Sequence, residues 1–294
     1  MKRICLLIFA LLMIISLLSA CASNKSETLS ETSVSSTIAV TEPPTVIRPV
    51  LKSPVKEYLI ETTDSSPDMT AGSRLECYYS DEYKDYLNYY IHIPQDAVTD
   101  MPLIVYLHGD GEVDMPQSLP ERGISRFSKE IYGEAFPFIL IEPNTRIDSW
   151  TSGNIPELLF ELINHIEEKY AVNSDKIILT GHSRGAIGVW DMISIYGGYF
   201  SAAVPVSSPH QKGHIDYIKA AEVPVWTFAG NLGTIERWYH QYLAQNVDII
   251  NGCDGFGKFT ILYGCDHGSA KPAAYVKETF DWMLAQQRGV IPEE

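Results

Sequence analysis

Short apolar runs alternate with amphipathic stretches along most of the chain from residue 74 onward. Continuous apolar runs, such as Leu103–Leu107 and Ile177–Thr180, are typical of parallel strands that are buried on both faces. Stretches between these runs, such as 156–170, repeat their apolar residues at the spacing of one helical face. The segments 74–79 and 87–93 favour an antiparallel pair of strands, and strand and helix then alternate about five times. The pattern predicts an α/β fold, a doubly wound sheet with helices on both faces.

The N-terminus departs from this pattern and indicates export. Met1-Lys2-Arg3 is basic, and the apolar run that follows is too short for a confident membrane span but suits a signal peptide over residues 1–20. The run ends in Leu18-Ser19-Ala20-Cys21, which resembles a bacterial lipobox. We therefore predict a lipidated Cys21 that anchors the chain to the cell membrane on its extracytoplasmic side. The alternative is an ordinary secretory cleavage site beside an incidental cysteine.

Residues 21–56 are rich in Ser, Thr, Glu and Pro. Such a segment buries too little apolar surface to offset the entropy lost on ordering, so it is predicted to be a disordered tether. Residues 57–294 are long enough for one substantial core and are predicted to form a single domain.

Charge and cysteine content limit the partners and the bonding of this domain. The formal net charge is −15, which argues against binding of nucleic acid or of anionic membrane through the domain surface. Membrane contact is thus expected through the lipidated N-terminus alone. Outside the cytoplasm a disulfide is permitted, and Cys253 with Cys265 is the first candidate pair, leaving Cys77 free. The oligomeric state is left open.

The stretch Gly181-His182-Ser183-Arg184-Gly185 stands between a predicted strand and a predicted helix. This is G-x-S-x-G in the context that a nucleophile elbow requires, where flanking glycines remove Cβ atoms from a sharp turn. Ser183 is therefore the candidate nucleophile. The alternative is a serine that caps the N-terminus of the helix.

A nucleophilic serine needs a base, and His267 is the candidate. It lies between the last predicted strand, 258–263, and the last predicted helix, 272–287, in a loop that contains glycine on both sides. His210 and His214 share another loop, but no third ligand stands at a convincing spacing, so no metal site is predicted.

His108-Gly109-Asp110 follows a buried strand that is predicted to lie beside the strand of the elbow. The backbone N–H groups of Asp110 and Arg184 are the candidate oxyanion hole for a tetrahedral intermediate. The alternative is that the glycine only terminates the strand.

The chain resembles the α/β-hydrolase superfamily in five segments: Leu107–Glu112, Trp150, Gly181–Gly185, Trp190 and Asp266–Gly268. Within it, the chain is similar to secreted esterases of the polyhydroxybutyrate-depolymerase-like, feruloyl-esterase-like and dienelactone-hydrolase-like group. The resemblance implies an eight-stranded, mostly parallel sheet, a serine–acid–histidine triad in that chain order, no cofactor and carboxylic-ester substrates.

One position departs from that family pattern. The family carries its acid in a Gly-x-x-Asp sequence, whereas this chain has Gly230-Asn231-Leu232-Gly233, with glycine in place of Asp. Glu236 is the nearest carboxylate and is the predicted acid. The alternatives are a bare serine–histidine dyad, Asp266 beside the histidine, and Glu142 at the end of a neighbouring strand.

These features predict a serine esterase at the cell surface that forms an acyl-enzyme on Ser183 and acts on a carbohydrate-linked ester, such as an acylated polysaccharide. Trp150, Trp226 and Tyr263 lie near loop ends, where aromatic rings can stack on sugar or phenolic rings, although core packing is favoured for each. Two alternatives use the same fold. One is a catalytically inactive binding lipoprotein, which the missing Asp favours, and the other is a serine peptidase.

Overall fold

An eight-stranded sheet organises residues 69–210 and 215–292, the part of the chain that the computed structural model describes. Its strands are β1 (Gly72–Ser80), β2 (Asp85–Ile93), β3 (Leu103–Leu107), β4 (Ile139–Asn144), β5 (Ile177–His182), β6 (Ala202–Val206), β7 (Val225–Gly230) and β8 (Gly257–Leu262). The spatial order is β1-β2-β4-β3-β5-β6-β7-β8. β1 and β2 pair antiparallel, β2 joins β4 antiparallel, and every later pairing is parallel. The predicted sheet and its strand number are therefore confirmed.

Helices cover both faces of this sheet. They are α1 (Leu119–Arg122), α2 (Ser125–Tyr132), α3 (Ile155–Lys169), α4 (Arg184–Tyr196), α5 (Tyr217–Ala220), α6 (Thr234–Gly252), α7 (His267–Ala274) and α8 (Lys277–Ala285). A short 3₁₀ turn, Asp110–Glu112, follows β3 and is important for the site described below.

Side-chain alternation along the central strands divides the core into two apolar clusters. In β3, Leu103, Val105 and Leu107 pack with the cluster that contains α3 and α4, whereas Ile104 and Tyr106 pack with the cluster that contains the apolar face of α8. All five side chains are inaccessible to solvent. Burial on both faces explains why β3 is a continuous apolar run in the sequence.

The C-terminal helix differs from its prediction. A single helix over 272–287 is wrong, because α7 begins at His267 and a second helix, α8, follows an extended Val276. The start of α7 is fixed by a capping box, in which the Asp266 side chain accepts from the Ser269 N–H at 2.8 Å and the Ser269 hydroxyl accepts from the Asp266 N–H at 2.8 Å. Pro272 lies inside α7 instead of opening a helix.

The predicted disulfide between Cys253 and Cys265 is also wrong, since both thiols are free, as is that of Cys77. Cys253 follows α6 before β8 begins, and Cys265 comes after β8 ends. A six-residue strand therefore separates the two, about 20 Å at the usual rise per residue. A disulfide requires Cα atoms within about 7 Å.

Several predictions concern residues outside the described ranges: the signal peptide 1–20, the lipidated Cys21, the tether 21–56 and the candidate ligand His214. Among the residues that are described, no helix has the length and apolar character needed to cross a membrane.

Candidate active site

Ser183 lies on a sharp turn between β5 and α4. Its backbone has φ 58° and ψ −119°, a conformation that residues other than glycine rarely adopt. Its N–H donates to the Val206 carbonyl at 2.9 Å. Its side chain makes no capping hydrogen bond to α4. Ser183 therefore stands at the N-cap position of α4 without capping the helix through its side chain.

The two glycines of the elbow allow the chain to pass through this crowded point. A Cβ atom on Gly181 would lie 2.6 Å from the carbonyl carbon of Gly185, and one on Gly185 would overlap the Leu107 carbonyl oxygen of β3. Both positions therefore exclude any larger residue unless the backbone moves. The close contact of α4 with β3 brings the serine beside the turn that follows β3.

Three side chains form a continuous hydrogen-bonded line at this edge of the sheet. The Ser183 Oγ lies 2.8 Å from His267 Nε2, and His267 Nδ1 lies 2.7 Å from Glu236 Oε1. Because a carboxylate only accepts hydrogen bonds, Nδ1 carries the proton toward Glu236, and Nε2 accepts from the serine hydroxyl. Both distances are within the range expected for a nucleophile, its base and the group that orients the base.

Glu236 is inaccessible to solvent, and its second oxygen is also satisfied. Oε2 accepts from the Gly230 N–H at 2.5 Å and from the Ser207 hydroxyl at 3.1 Å. Glu236 stands in the first turn of α6, where the positive end of the helix dipole favours a carboxylate. The carboxylate is therefore held in one orientation by three donors, one of which is His267.

Neither of the other candidate acids meets the histidine. The Asp266 side chain is directed to Ser269 in the capping box of α7. Glu142, in β4, accepts from the Ser125 N–H at 3.0 Å. The structure thus brings together Ser183, His267 and Glu236, the three residues predicted from the sequence, across four elements of the fold.

The 3₁₀ turn after β3 presents the Asp110 N–H, and α4 presents the Arg184 N–H. Each residue is the first of its helix, so its amide has no acceptor within that helix. No other backbone group among the described residues accepts from either amide. Two free N–H groups beside a nucleophile are the arrangement that an oxyanion hole requires.

The side chain of His108 fixes this turn, a role that the sequence did not reveal. His108 Nε2 accepts from the Thr145 N–H at 3.1 Å, so the proton is on Nδ1, which donates to the Gly109 carbonyl at 2.7 Å. Burial lowers the pKa of His108 to about 4, which keeps this tautomer neutral. In a trans peptide the C=O and N–H point in opposite directions, so holding the Gly109 carbonyl aims the Asp110 N–H away from His108.

Two ion pairs connect the same turn to its neighbours. At the surface, the Arg184 guanidinium binds both carboxylate oxygens of Asp110, with Nη2 2.7 Å from Oδ2, and also contacts Asp148. Below it, the Lys271 ammonium lies 3.5 Å from Glu112, and each of these side chains is only 11% exposed. Lys271 is one turn after His267 on α7, so the turn is linked to both the elbow and the histidine helix.

A second histidine supports His267 from the elbow itself. His182 Nε2 donates to the His267 carbonyl at 2.9 Å, and burial lowers the pKa of His182 to about 3. His182 is therefore neutral and positions the backbone of His267. Its place between Gly181 and the nucleophile was the only signal in the sequence for this role.

Ser183, His267, Asp110 and Arg184 line one cleft of about 500 Å³. Its other walls are formed by the segment 148–152, by Ile187 and Ser208, and by Ile235 and Tyr239 of α6. The walls are rich in hydroxyl groups and carboxylates. Within the described residues, no group of three or more His, Cys, Asp or Glu side chains is arranged to hold a metal ion.

The three aromatic residues noted in the sequence differ in exposure. Trp150 is buried, donates from Nε1 to the His108 carbonyl at 2.9 Å and forms part of the cleft wall. Trp226 is also buried and packs edge-on against Trp282. Core packing is thus confirmed for these two, whereas Tyr263 is 80% exposed and the core prediction is wrong for it.

Solved structures with this architecture include several esterases. A thermostable esterase superposes with a TM-score of 0.64 at 19% identity, covering 74% of this chain and 63% of that chain. The feruloyl esterase module of Clostridium thermocellum, complexed with sinapinate, gives 0.56 at 14% identity over 81% and 96% of the two chains. S-formylglutathione hydrolase of Staphylococcus aureus gives 0.57 at 16% identity over 73% and 100%. The chain has the α/β-hydrolase fold.

These likenesses concern the fold, since all of these identities are below 20%. The chain spans less than two thirds of the length of the thermostable esterase. No family model matches the sequence, and no curated protein matches it either. The chemistry of this chain therefore has to be argued from its own residues.

Proposed function

We propose that the protein is a serine hydrolase that cleaves carboxylic esters through an acyl-enzyme on Ser183. The observation that carries this proposal is the line from Ser183 Oγ to His267 Nε2, at 2.8 Å, and from His267 Nδ1 to Glu236, at 2.7 Å. Asp110 and Arg184, whose amides donate to no backbone acceptor among the described residues, line the same cleft, so a nucleophile, a base, an orienting acid and a candidate oxyanion site occur together.

In the first step, Ser183 Oγ attacks the ester carbonyl carbon while His267 Nε2 accepts the hydroxyl proton. The carbonyl oxygen becomes an oxyanion that the N–H groups of Asp110 and Arg184 stabilise. Collapse of this intermediate breaks the bond to the alcohol oxygen, and His267 gives that oxygen its proton. The alcohol leaves, and the acyl group remains on Ser183.

In the second step, His267 removes a proton from water, which attacks the acyl carbonyl carbon. The tetrahedral intermediate collapses with return of the proton to Ser183 Oγ, and the carboxylic acid leaves. Glu236 holds the imidazole in the correct tautomer and stabilises the imidazolium that forms in both steps. All of these roles are filled by groups of the chain, so the proposed reaction requires no cofactor.

The finer proposal places this reaction at the cell surface, on an acylated polysaccharide. The basic start and apolar run of residues 1–20, with Cys21 directly after them, and the Ser/Thr/Pro-rich residues 21–56 support a lipid anchor and a tether. The hydroxyl-rich cleft and a structural neighbour that is a feruloyl esterase support a carbohydrate-linked ester. Incorporation of labelled palmitate into the chain, lost in Cys21→Ala, tests the anchor.

The main support for an inactive binding protein was the missing Asp of the family pattern. This alternative is not favoured, because Glu236 occupies the position of the acid behind His267. A fluorophosphonate probe and p-nitrophenyl acetate test the enzyme directly. We expect the purified mature protein to be labelled and to hydrolyse the ester, and Ser183→Ala to lose both properties. Ser152→Ala, which removes another cleft hydroxyl, is the control and should retain both. An unlabelled wild-type protein would contradict the proposal.

A further inference from the structure

The outer face of α6 carries three large apolar side chains that are open to solvent. Ile235 and Trp238 are each 50% exposed, and Tyr242 is 36% exposed. Their spacing of three and four positions places them on one side of the helix, and we call them the α6 stripe. The adjacent face of α6 is buried in the core through Leu243, Val247 and Ile250. The stripe is thus additional to the face that folding requires.

The two aromatic rings of the stripe form one continuous surface. The ring centroids of Trp238 and Tyr242 are 4.4 Å apart, at an interplanar angle of 50°. Grouped apolar side chains on a water-exposed surface are typical of binding sites, because leaving them in contact with water is unfavourable. The arrangement is open and shallow, so it suits a rigid ligand with flat apolar faces better than a flexible aliphatic chain, which needs an enclosed groove to be withdrawn from water.

The stripe begins inside the active-site cleft. Ile235, its first member, lines the cleft together with Ser183 and His267, and so does the neighbouring Tyr239. The ring of Tyr239 lies 6.1 Å from the imidazole of His267, centroid to centroid. A ligand that extends out of the cleft along α6 therefore reaches Trp238 and Tyr242 next.

The mechanism assigns a part of the substrate to this side of the cleft. The leaving alcohol must take its proton from His267 Nε2, so its oxygen lies on the histidine side of Ser183. α6 forms that side, because it carries Glu236 directly behind the imidazole. The segment 148–152 forms a different wall, next to the 3₁₀ turn at Asp110, because Arg184 contacts both Asp148 and Asp110. The stripe consequently meets the alcohol portion of the ester.

We propose that the α6 stripe binds sugar rings of the alcohol component, so that the polysaccharide is the leaving group and its chain runs outward along α6. The inference rests on the proposed esterase function. A sugar ring has apolar C–H faces that stack on Trp and Tyr, and a rim of hydroxyls that hydrogen-bond to water and to the polar cleft. A lipid surface fits less well, because a net charge of −15 is repelled by anionic headgroups.

The test compares a large and a small alcohol in the same enzyme. The double variant Trp238→Ala/Tyr242→Ala is assayed on a panel of acetylated polysaccharides, including acetylated xylan and acetylated pectin, and on ethyl acetate, whose alcohol is too small to leave the cleft. We expect kcat/KM for the acetylated polysaccharide that the wild type hydrolyses best to fall about tenfold, mainly through KM. The value for ethyl acetate should change less than about twofold.

Ile218→Ala is the matched control, because it removes a large apolar side chain that is 74% exposed on α5 and lies outside the cleft lining. It should leave both values unchanged. The inference is overturned if the double variant affects both substrates equally, or if wild-type protein hydrolyses ethyl acetate but no acetylated polysaccharide. Loss of phosphatidylcholine-vesicle binding with unchanged polysaccharide kinetics would also overturn it. Failure of the wild type on ethyl acetate would instead contradict the esterase function.

Discussion

Glu236 and Glu142 are both inaccessible to solvent, and both follow an apolar run of the sheet in the sequence, yet their surroundings differ. Both oxygens of Glu236 have donors: His267 on one side, and Gly230 and Ser207 on the other. Glu142 Oε1 accepts from the Ser125 N–H, whereas its Oε2 has no hydrogen-bond partner among the described residues. Burial raises the pKa of Glu142 to about 7.

The difference shows that burial alone does not make a carboxylate useful as a triad acid. A buried carboxylate keeps its charge only where donors replace the water it has lost, and it orients a histidine only where one of those donors is the imidazole. Glu236 meets both conditions. Glu142 meets neither, so at neutral pH its carboxyl group is protonated in about half of the molecules.

The largest expected effect comes from breaking the Glu236 contact. Glu236→Gln keeps the shape but offers His267 Nδ1 an amide group that can donate, which favours the wrong imidazole tautomer. We expect kcat on p-nitrophenyl acetate to fall about 10⁴-fold with little change in KM. Glu236→Ala is less suitable, since it leaves the Gly230 N–H without its acceptor.

A thermal melt of Glu236→Gln is the control for folding. If the variant is folded and keeps more than a tenth of its activity, Glu236 is not the acid and the bare dyad is the better description. A large loss in Glu142→Gln with none in Glu236→Gln would exchange the two roles.

The next effect concerns stability. The pKa of Glu142 is about 7 in the folded protein and about 4.3 in an unfolded chain. Between these two pH values the folded state holds a proton on Glu142 that the unfolded chain has lost. The contribution of Glu142 to the free energy of unfolding therefore falls as the pH rises from about 4.3 to about 7, and it is constant at higher pH. Glu142→Gln removes this dependence. The free energy of unfolding of the variant minus that of the wild type should therefore be about 3 kcal/mol larger at pH 8 than at pH 5.

Urea denaturation at the two pH values measures this difference. Glu121→Gln, at an exposed position on α1, is the control and should show no such change. An equal difference between Glu142→Gln and wild type at pH 5 and pH 8 would mean that Glu142 has an ordinary pKa in the folded protein.

The smallest effect is expected at Asp266, the candidate acid that caps α7. Asp266→Ala should lower the free energy of unfolding slightly, because the first turn of α7 loses a capping side chain. Activity should fall less than about fivefold, since the side chain does not contact the imidazole. Asp266→Asn retains a capping oxygen and should restore most of the stability. A loss of activity comparable to that of Glu236→Gln would show a direct role for Asp266.

The sequence predicted the sheet, the elbow, Ser183 and His267, because each depends on local signals: apolar runs, glycines around Ser183, and a histidine just after the last strand. It named Glu236 only as the nearest carboxylate and left Asp266 and Glu142 open, since all three stand at or shortly after the end of a predicted strand. Only the folded backbone shows which carboxylate faces the imidazole. The disulfide failed for a related reason. Proximity in sequence placed Cys253 and Cys265 together, whereas β8 separates them.

The side-chain contacts that support the site could not be predicted from the sequence, for another reason. The side chains of His108, His182 and Arg184 stand within motifs whose recognised roles belong to backbone amides or to the serine. Their own hydrogen bonds join segments that are far apart along the chain, such as Arg184 with Asp148 and His182 with His267. Such pairings follow from the strand order, and no periodicity in the sequence reports them.

The backbone of Ser183 has a consequence for how this protein responds to selection. A residue with φ 58° and ψ −119° carries strain of about 1–3 kcal/mol, which glycine at the same position would not. Ser183→Gly would thus abolish the reaction and raise the free energy of unfolding. A laboratory selection for heat resistance alone, with no selection for turnover, would favour the loss of this serine, so the elbow is a point where stability and activity are in direct conflict.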